Sequence, residues 1–378
     1  MSLERLDCVF LGLSITSTWG NGHATTYRGL IKELAGRGHS VTFLERDVPW
    51  YASNREWTHA PYCDVRLYST IEELKETYAA RIRNADLVVV GSYVPDGIEI
   101  GRWVTGTARG CAAFYDIDTP VTLANLRSRK CQYISRDLYP KYDLYLSFTG
   151  GPTLDYIERE LGSPCARPLF CSVDPTIYYP EASTCKWDVA YLGTYAADRQ
   201  ASLQKLLLDV ATRERERRFC VAGPQYPEAM KWPENVERVE HLPANQHRCF
   251  YNAQKFTLNL TRKDMIRAGY SPSVRLFEAA ACGTAILTDA WPGLESIFKP
   301  GFEILPVRNF KDVTSYLQMP DDQRLEIGER ARKHTLRTHT AAKRAEQLET
   351  YVFASLEKRS CSKRQGTAIK PSPSAALA

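Results

Sequence analysis

Ser271, Arg275 and Glu278 stand at i, i+4 and i+7, a spacing that places all three on one face of a helix. The segment around them has boundary signals at both ends. Ser271 suits the N-cap, Pro272 the first helical position, and Gly283 the position just past the end. The start of such a helix presents free backbone N–H groups and the positive end of the helix dipole, which together attract an anion. A cation in that turn suits a diphosphate, and a carboxylate one turn on can accept from a ribose diol. The plain alternative is an exposed Arg275–Glu278 ion pair, worth roughly a few tenths of a kcal/mol.

A second set lies in the first half. His23 ends the Gly20-Asn21-Gly22-His23 loop, between a strand and a helix. In an open α/β sheet, ligands bind outside the carboxyl ends of the strands, where this loop lies. Glycines such as Gly22 let a backbone approach a ligand closely. A histidine there can serve as general base on a hydroxyl, or it can simply cap the helix. Position 25 is Thr25, so the dinucleotide fingerprint G-x-G-x-x-G is absent. Asp116 and Asp118 close another apolar strand, Cys111 to Asp116. They are expected to orient His23 or to bind an acceptor; the plain alternative is an Asp turn that caps the next helix. Trp19, Trp50, Trp57 and Tyr93 are candidates for stacking on a sugar, though aromatics more often pack.

These residues need a frame that points strand ends at one cleft. Asp7 to Leu13 is an apolar strand, and Tyr27, Leu30, Ile31 and Leu34 mark one buried helix face. Ser40 to Glu45 is the next strand, followed by 86–91, 111–116 and 143–148. Apolar strands joined through helices imply a parallel sheet covered on both faces. Four prolines between 164 and 187 break the rhythm. The alternation then restarts with strands at 187–193, 218–223, 255–260 and 284–289, and a helix from about Arg199 to Arg213. The expected class is α/β, with two Rossmann-like doubly wound sheets, C-terminal helices and a disordered tail.

The stretch Ser271 to Asp289 resembles the nucleotide-binding helix of GT-B glycosyltransferases, and most of all the branch related to the spore-maturation protein CgeB. The resemblance implies that Glu278 holds the donor ribose. It also implies that Gly193 and Thr194, at the end of Val189-Ala190-Tyr191-Leu192-Gly193-Thr194, face the donor diphosphate. Arg199, Ser271, Ser273 and Arg275 would line the same site. Many retaining members have a second glutamate eight residues earlier; Tyr270 stands there, so the anomeric outcome is not readable. Some GT-B families place an inverting base in a Gly-His loop, which would be His23. The implied domains are an acceptor domain (1–168), a linker (169–186), a nucleotide-sugar domain (187–335), a helix (336–358) and a tail (359–378).

Composition narrows the partners. The 378 residues are 44% hydrophobic, enough for two cores, and the formal charge is only +5, from 49 basic and 44 acidic residues. That gives no concentrated basic face for nucleic acid and at most peripheral membrane contact. The 11 cysteines show no C-x-x-C pair, so neither a zinc site nor a disulfide framework is expected. With Glu4 and Asp7 in the segment Met1 to Val9 and no apolar run of spanning length, the chain is expected to be cytoplasmic. The expected activity is metal-independent transfer from a nucleotide sugar, UDP-linked by resemblance, to a hydroxyl on a small molecule, glycan or lipid-linked acceptor, with no cofactor. Two alternatives stay open: a non-catalytic nucleotide-sugar binder, and a GT-B-fold epimerase.

Overall fold

The computed structural model describes residues 5–18, 23–57 and 60–367. Gly22 and Trp19, expected near the first-half site, lie outside the described residues.

Seven strands form the first sheet: β1 (Asp7–Gly12), β2 (Ser40–Arg46), β3 (Asp64–Tyr68), β4 (Leu87–Gly91), β5 (Cys111–Asp116), β6 (Leu144–Ser147) and β7 (Ala166–Pro168). Their order is β3-β2-β1-β4-β5-β6-β7, all parallel. Side chains of β1 alternate between two cores. Val9 and Leu11 join one, and Cys8 and Phe10 the other. Burial on both faces is why these strands read as continuous apolar runs. Each fully buried Val, Leu or Phe contributes roughly 1.5–3 kcal/mol.

The second sheet has six strands: β8 (Trp187–Leu192), β9 (Phe219–Ala222), β10 (Val236–Val239), β11 (Gln254–Asn259), β12 (Ala285–Thr288) and β13 (Leu305–Pro306). Its order, β10-β9-β8-β11-β12-β13, repeats the reversal of the first. In both sheets the chain starts at the centre, builds outward one way, then returns and builds the other way. The switch points lie between β1 and β4 and between β8 and β11. Strands β3, β7, β10 and β13 have no counterpart among the apolar runs of the sequence. They are edge strands, short or half-exposed, and leave no such run.

Two segments cross between the domains. One is the linker after β7; the other joins the Asp321–Thr338 helix to the Ala341–Thr367 helix. They are stitched together by a parallel bridge between Val173 and Thr340. Arg344, only 2% exposed, donates to the carbonyls of Phe170 (2.9 Å), Cys171 (3.3 Å) and Thr338 (3.0 Å). The last helix returns to the first domain and packs on the His23–Gly36 helix. There buried Glu349 accepts from Arg37 and from His39 Nε2 (2.6 Å). This helix runs to Thr367, past the expected end at Lys358, so residues 359–367 are helical rather than tail. The rest of the expected tail lies outside the described residues. No helix among the described residues is long and apolar enough to cross a membrane.

Candidate functional site

On the second domain the site begins where β8 and β11 part. Arg275 leaves the first turn of the Val274–Ala281 helix and lies across the switch point. Its Nη1 donates to the Leu192 carbonyl (3.1 Å) and its Nη2 to the Leu260 carbonyl (3.2 Å). Gly193 makes the room. A Cβ there would stand 2.9 Å from Arg275 Nη1 and 2.5 Å from the Tyr191 hydroxyl. Arg199 converges on the same place, with its Nη2 donating to the Thr194 carbonyl (2.6 Å). Burial, and then Arg275, lower the Arg199 pKa. The Nε of each guanidinium is buried without a hydrogen-bond partner. Asp289, whose carboxylate feels Arg275, is held by Thr261 N (2.8 Å) and Oγ1 (2.7 Å). Two half-satisfied cations at a sheet's switch point are costly unless an anion joins them.

The helix begins later than its sequence signals suggest. Its N-cap is Ser273, and Ser271 and Pro272 precede it. Ser271 does not cap, because its hydroxyl meets Thr149 Oγ1 of the first domain at 3.0 Å. Gly283 holds the expected position past the end, with φ +75°. Arg275 and Glu278 form no ion pair. Glu278 is 6% exposed and its Oε2 accepts from the Tyr251 hydroxyl (3.0 Å), with the Tyr178 hydroxyl beside it. Glu278 opens onto an interdomain cleft of about 810 Å³, also lined by Tyr178, Leu242, His241, Arg28 and Trp57. Thr194 is exposed at the turn after β8, and Ser273 is half-buried at the helix start.

At its strand ends the first domain presents rings and carboxylates; its cations at the cleft, Arg28 and Lys32, sit on the His23–Gly36 helix. His23 opens the His23–Gly36 helix, and its ring packs against Tyr93 with centroids 5.5 Å apart. Burial pushes its pKa down to about 4, so the imidazole is neutral near pH 7. Tyr93 has a left-handed backbone (φ +65°), and its hydroxyl donates to Asp118 Oδ2 (2.9 Å). Asp118 also feels Arg262 and Asp264 across the cleft.

Asp116 does not orient His23, contrary to the expectation from sequence. It is fully buried and accepts from Tyr145, from Thr122 Oγ1 (2.8 Å) and from Asp118 N (3.2 Å). Burial raises its pKa to about 6. Asp118 stands at the N-cap of the helix that follows, but its side chain does not cap it; its carboxylate is taken by Tyr93. Among the described residues, no group of three or more His, Cys, Asp or Glu could hold a metal ion.

Sequence reasoning missed Tyr178, Tyr251 and Arg28. Tyr178 comes from the proline-rich linker and Tyr251 from a six-residue helix, neither of which has a readable period. Arg28 sits in the first helix, where its guanidinium covers the Trp57 ring at 3.9 Å and its Nη2 is buried without a partner. An arginine at that helix position reads as an ordinary solvated cation.

Residues 199–350 match a family model described as glycosyl transferase-like. Among curated proteins, none matches the sequence. Solved structures match over nearly the whole chain. One is a sucrose-phosphate synthase from Thermosynechococcus elongatus, at 14% identity, covering 93% of this chain and 100% of that one, with a TM-score of 0.66. Anabaena Alr3699/HepE in complex with UDP-glucose is 11% identical, covering 94% and 100%, with a TM-score of 0.65. An alpha-glucosyltransferase in complex with UDP-glucose and abasic-site DNA is 11% identical, covering 92% and 98%, with a TM-score of 0.67. The chain therefore has the GT-B fold, and its second half carries a glycosyl transferase-like domain.

Proposed function

We propose that this protein is a glycosyltransferase that takes a sugar from a UDP-linked donor and passes it to a hydroxyl acceptor held by the first domain. The observation behind the reading is the Arg199–Arg275 pair, two half-buried guanidiniums, each with a buried Nε that has no partner, beside a helix N-terminus. A diphosphate there gains charge-assisted hydrogen bonds and relieves the repulsion between them. Glu278 faces the nucleoside end of the cleft, where a carboxylate suits a ribose diol. UDP is favoured as the nucleotide because solved neighbours of this fold were obtained with UDP or UDP-glucose.

In the transfer, the bond between the sugar's anomeric carbon and the diphosphate breaks. The charge left on the diphosphate oxygens falls between Arg275, Arg199 and the first turn of the Val274–Ala281 helix, already in place before the reaction. These groups supply the positive potential without a metal ion. The acceptor hydroxyl loses its proton to His23, which is neutral at working pH, with Asp118 and Tyr93 holding the acceptor. Because the His23 pKa is low, the proton moves only as the hydroxyl acidifies in the transition state. The reading places the protein in the cytoplasm and within the CgeB-like branch of the fold.

Tyr270, in place of a second glutamate, favours one other reading: a nucleotide-sugar binder without transfer. A thermal-shift panel with UDP, GDP, dTDP and ADP, without added metal, tests the donor site. At about 100 times Kd a ligand adds roughly 2.7 kcal/mol to the folded state. A selective shift with UDP that is lost in Arg275→Ala is the expected result. No shift with any diphosphate on folded protein would sink the donor site. Binding of a UDP-sugar without UDP release, across an acceptor panel, would favour the binder.

A further inference from the structure

The two domains touch at the hinge and also at a second seam, formed by Thr149, Gly150 and Gly151 of the first domain and Tyr270 and Ser271 of the second. Gly150 N donates to the Tyr270 carbonyl (2.8 Å), and Thr149 Oγ1 meets Ser271 Oγ (3.0 Å). The Tyr270 ring sits between two glycines, one from each domain. A Cβ on Gly151 would stand 2.4 Å from ring atom Cδ2, and a Cβ on Gly293 would stand 2.4 Å from Cδ1. Both glycines have positive φ, +58° and +87°. Tyr270 is itself left-handed (φ +47°), and its N–H donates to the Pro292 carbonyl (2.7 Å). That backbone is unfavourable for a bulky residue and persists only where the surroundings over-determine it.

We infer that Tyr270 is an interdomain latch, a positioning residue whose ring, seated in the Gly151–Gly293 notch, fixes the spacing of the domains across the cleft. Opening the cleft withdraws the ring from Gly151 and breaks the Gly150 and Thr149 hydrogen bonds together. The strain at Tyr270 and the absence of side chains on both glycines have one explanation in this arrangement. The seam lies next to the Val274–Ala281 helix, two residues before its N-cap, so seating the ring also sets where Arg275 and the helix start face the first domain. The inference stands on interdomain geometry and does not need the sugar-transfer reading.

Small-angle X-ray scattering of the full-length protein without ligand tests it. Tyr270→Ala is expected to shift the population toward a larger radius of gyration, by about tenfold in the open-to-closed ratio, as loss of a seated aromatic ring would give. Tyr270→Phe, which keeps the ring, is expected to scatter like the parent. Gly151→Ala, which leaves Tyr270 intact and blocks the notch from the other domain, is expected to open the protein as well, and it decides the matter if Tyr270→Ala does not fold. Unchanged scattering of folded Tyr270→Ala or Gly151→Ala would overturn the latch, as would opening of Tyr270→Phe. Since the scattering is measured without nucleotide, a failure of UDP binding leaves this result untouched, and the reverse holds too.

Discussion

The two walls of the cleft share a topology and differ in charge logic. On the second domain, Arg199 and Arg275 are left half-satisfied at the switch point, each with a buried Nε open. On the first domain the polar groups at the strand ends are already paired. Asp116 is bound by Tyr145 and Thr122, Asp118 by Tyr93, and Glu45 by Ser14, Thr16 and the Ile15 N–H. An open cation pair waits for an anion of fixed geometry. A wall whose strand-end carboxylates are satisfied by rings and hydroxyls offers shape there, while Arg28 of the first helix and Trp57 of a neighbouring loop line the cleft beside it. If the proposed transfer holds, electrostatics would specify the donor side and surface shape the acceptor side.

That contrast orders the expected effects of mutation. The largest is on turnover. His23→Ala should lower transfer by about 10²- to 10⁴-fold while leaving the UDP-induced thermal shift intact. A loss of UDP binding instead would break the division between the walls. Next is Arg275→Ala, which removes a charged donor to the diphosphate and should weaken UDP by roughly 1.5–3 kcal/mol in calorimetry, with unchanged or higher stability of the free protein. A fall in the free protein's melting temperature would show that Arg275 is a structural cation. Glu278→Gln keeps a side chain for the Tyr251 hydroxyl but loses the charge. It should cost about tenfold in UDP affinity, and little in affinity for pyrophosphate, which has no ribose.

The same contrast explains what is legible in the sequence. The cation wall sits largely on one helix and on the turn after β8, so helix spacing puts Arg275 and Glu278 on one face, while their roles and those of Gly193 and Arg199 come from the family resemblance. The first domain's wall is assembled from β4, β5 and the start of the first helix, residues far apart in the chain. Sequence patterns point to its members but not to their pairing, and they suggest for Asp116 a role that Tyr145 and Thr122 already fill. The Val274–Ala281 helix starts two residues later than its cap signals because Ser271 has a partner in the other domain, which no local cap rule can see. Both doubly wound sheets are legible from their central apolar strands. Their edges are not, since an edge strand is exposed on one side and loses the apolar run.

Acidity gives the finest test, because the buried titrating groups of the molecule oppose one another. Burial lowers the His23 pKa to about 4 and, with Arg344 nearby, that of His339 to about 3. Both are depressed below the unfolded value, so the stability tied to them is present above about pH 6.5 and is lost as the pH falls toward 4 and 3. Asp116 runs the other way. Burial raises it to about 6, so in the window from about 4 to 6 the folded state binds a proton that the unfolded state does not. Its contribution grows on acidification and partly offsets the two histidines. Asp116→Asn removes that offset. Urea unfolding at steps between about pH 4 and 6 should therefore show stability falling more steeply in Asp116→Asn than in the parent, by about 1.4 kcal/mol per pH unit. Equal slopes would mean that Asp116 stays ionised in the fold, held by its hydrogen bonds to Tyr145 and Thr122. In that case the first domain would carry a buried negative charge at the end of β5, stabilised by those hydrogen bonds.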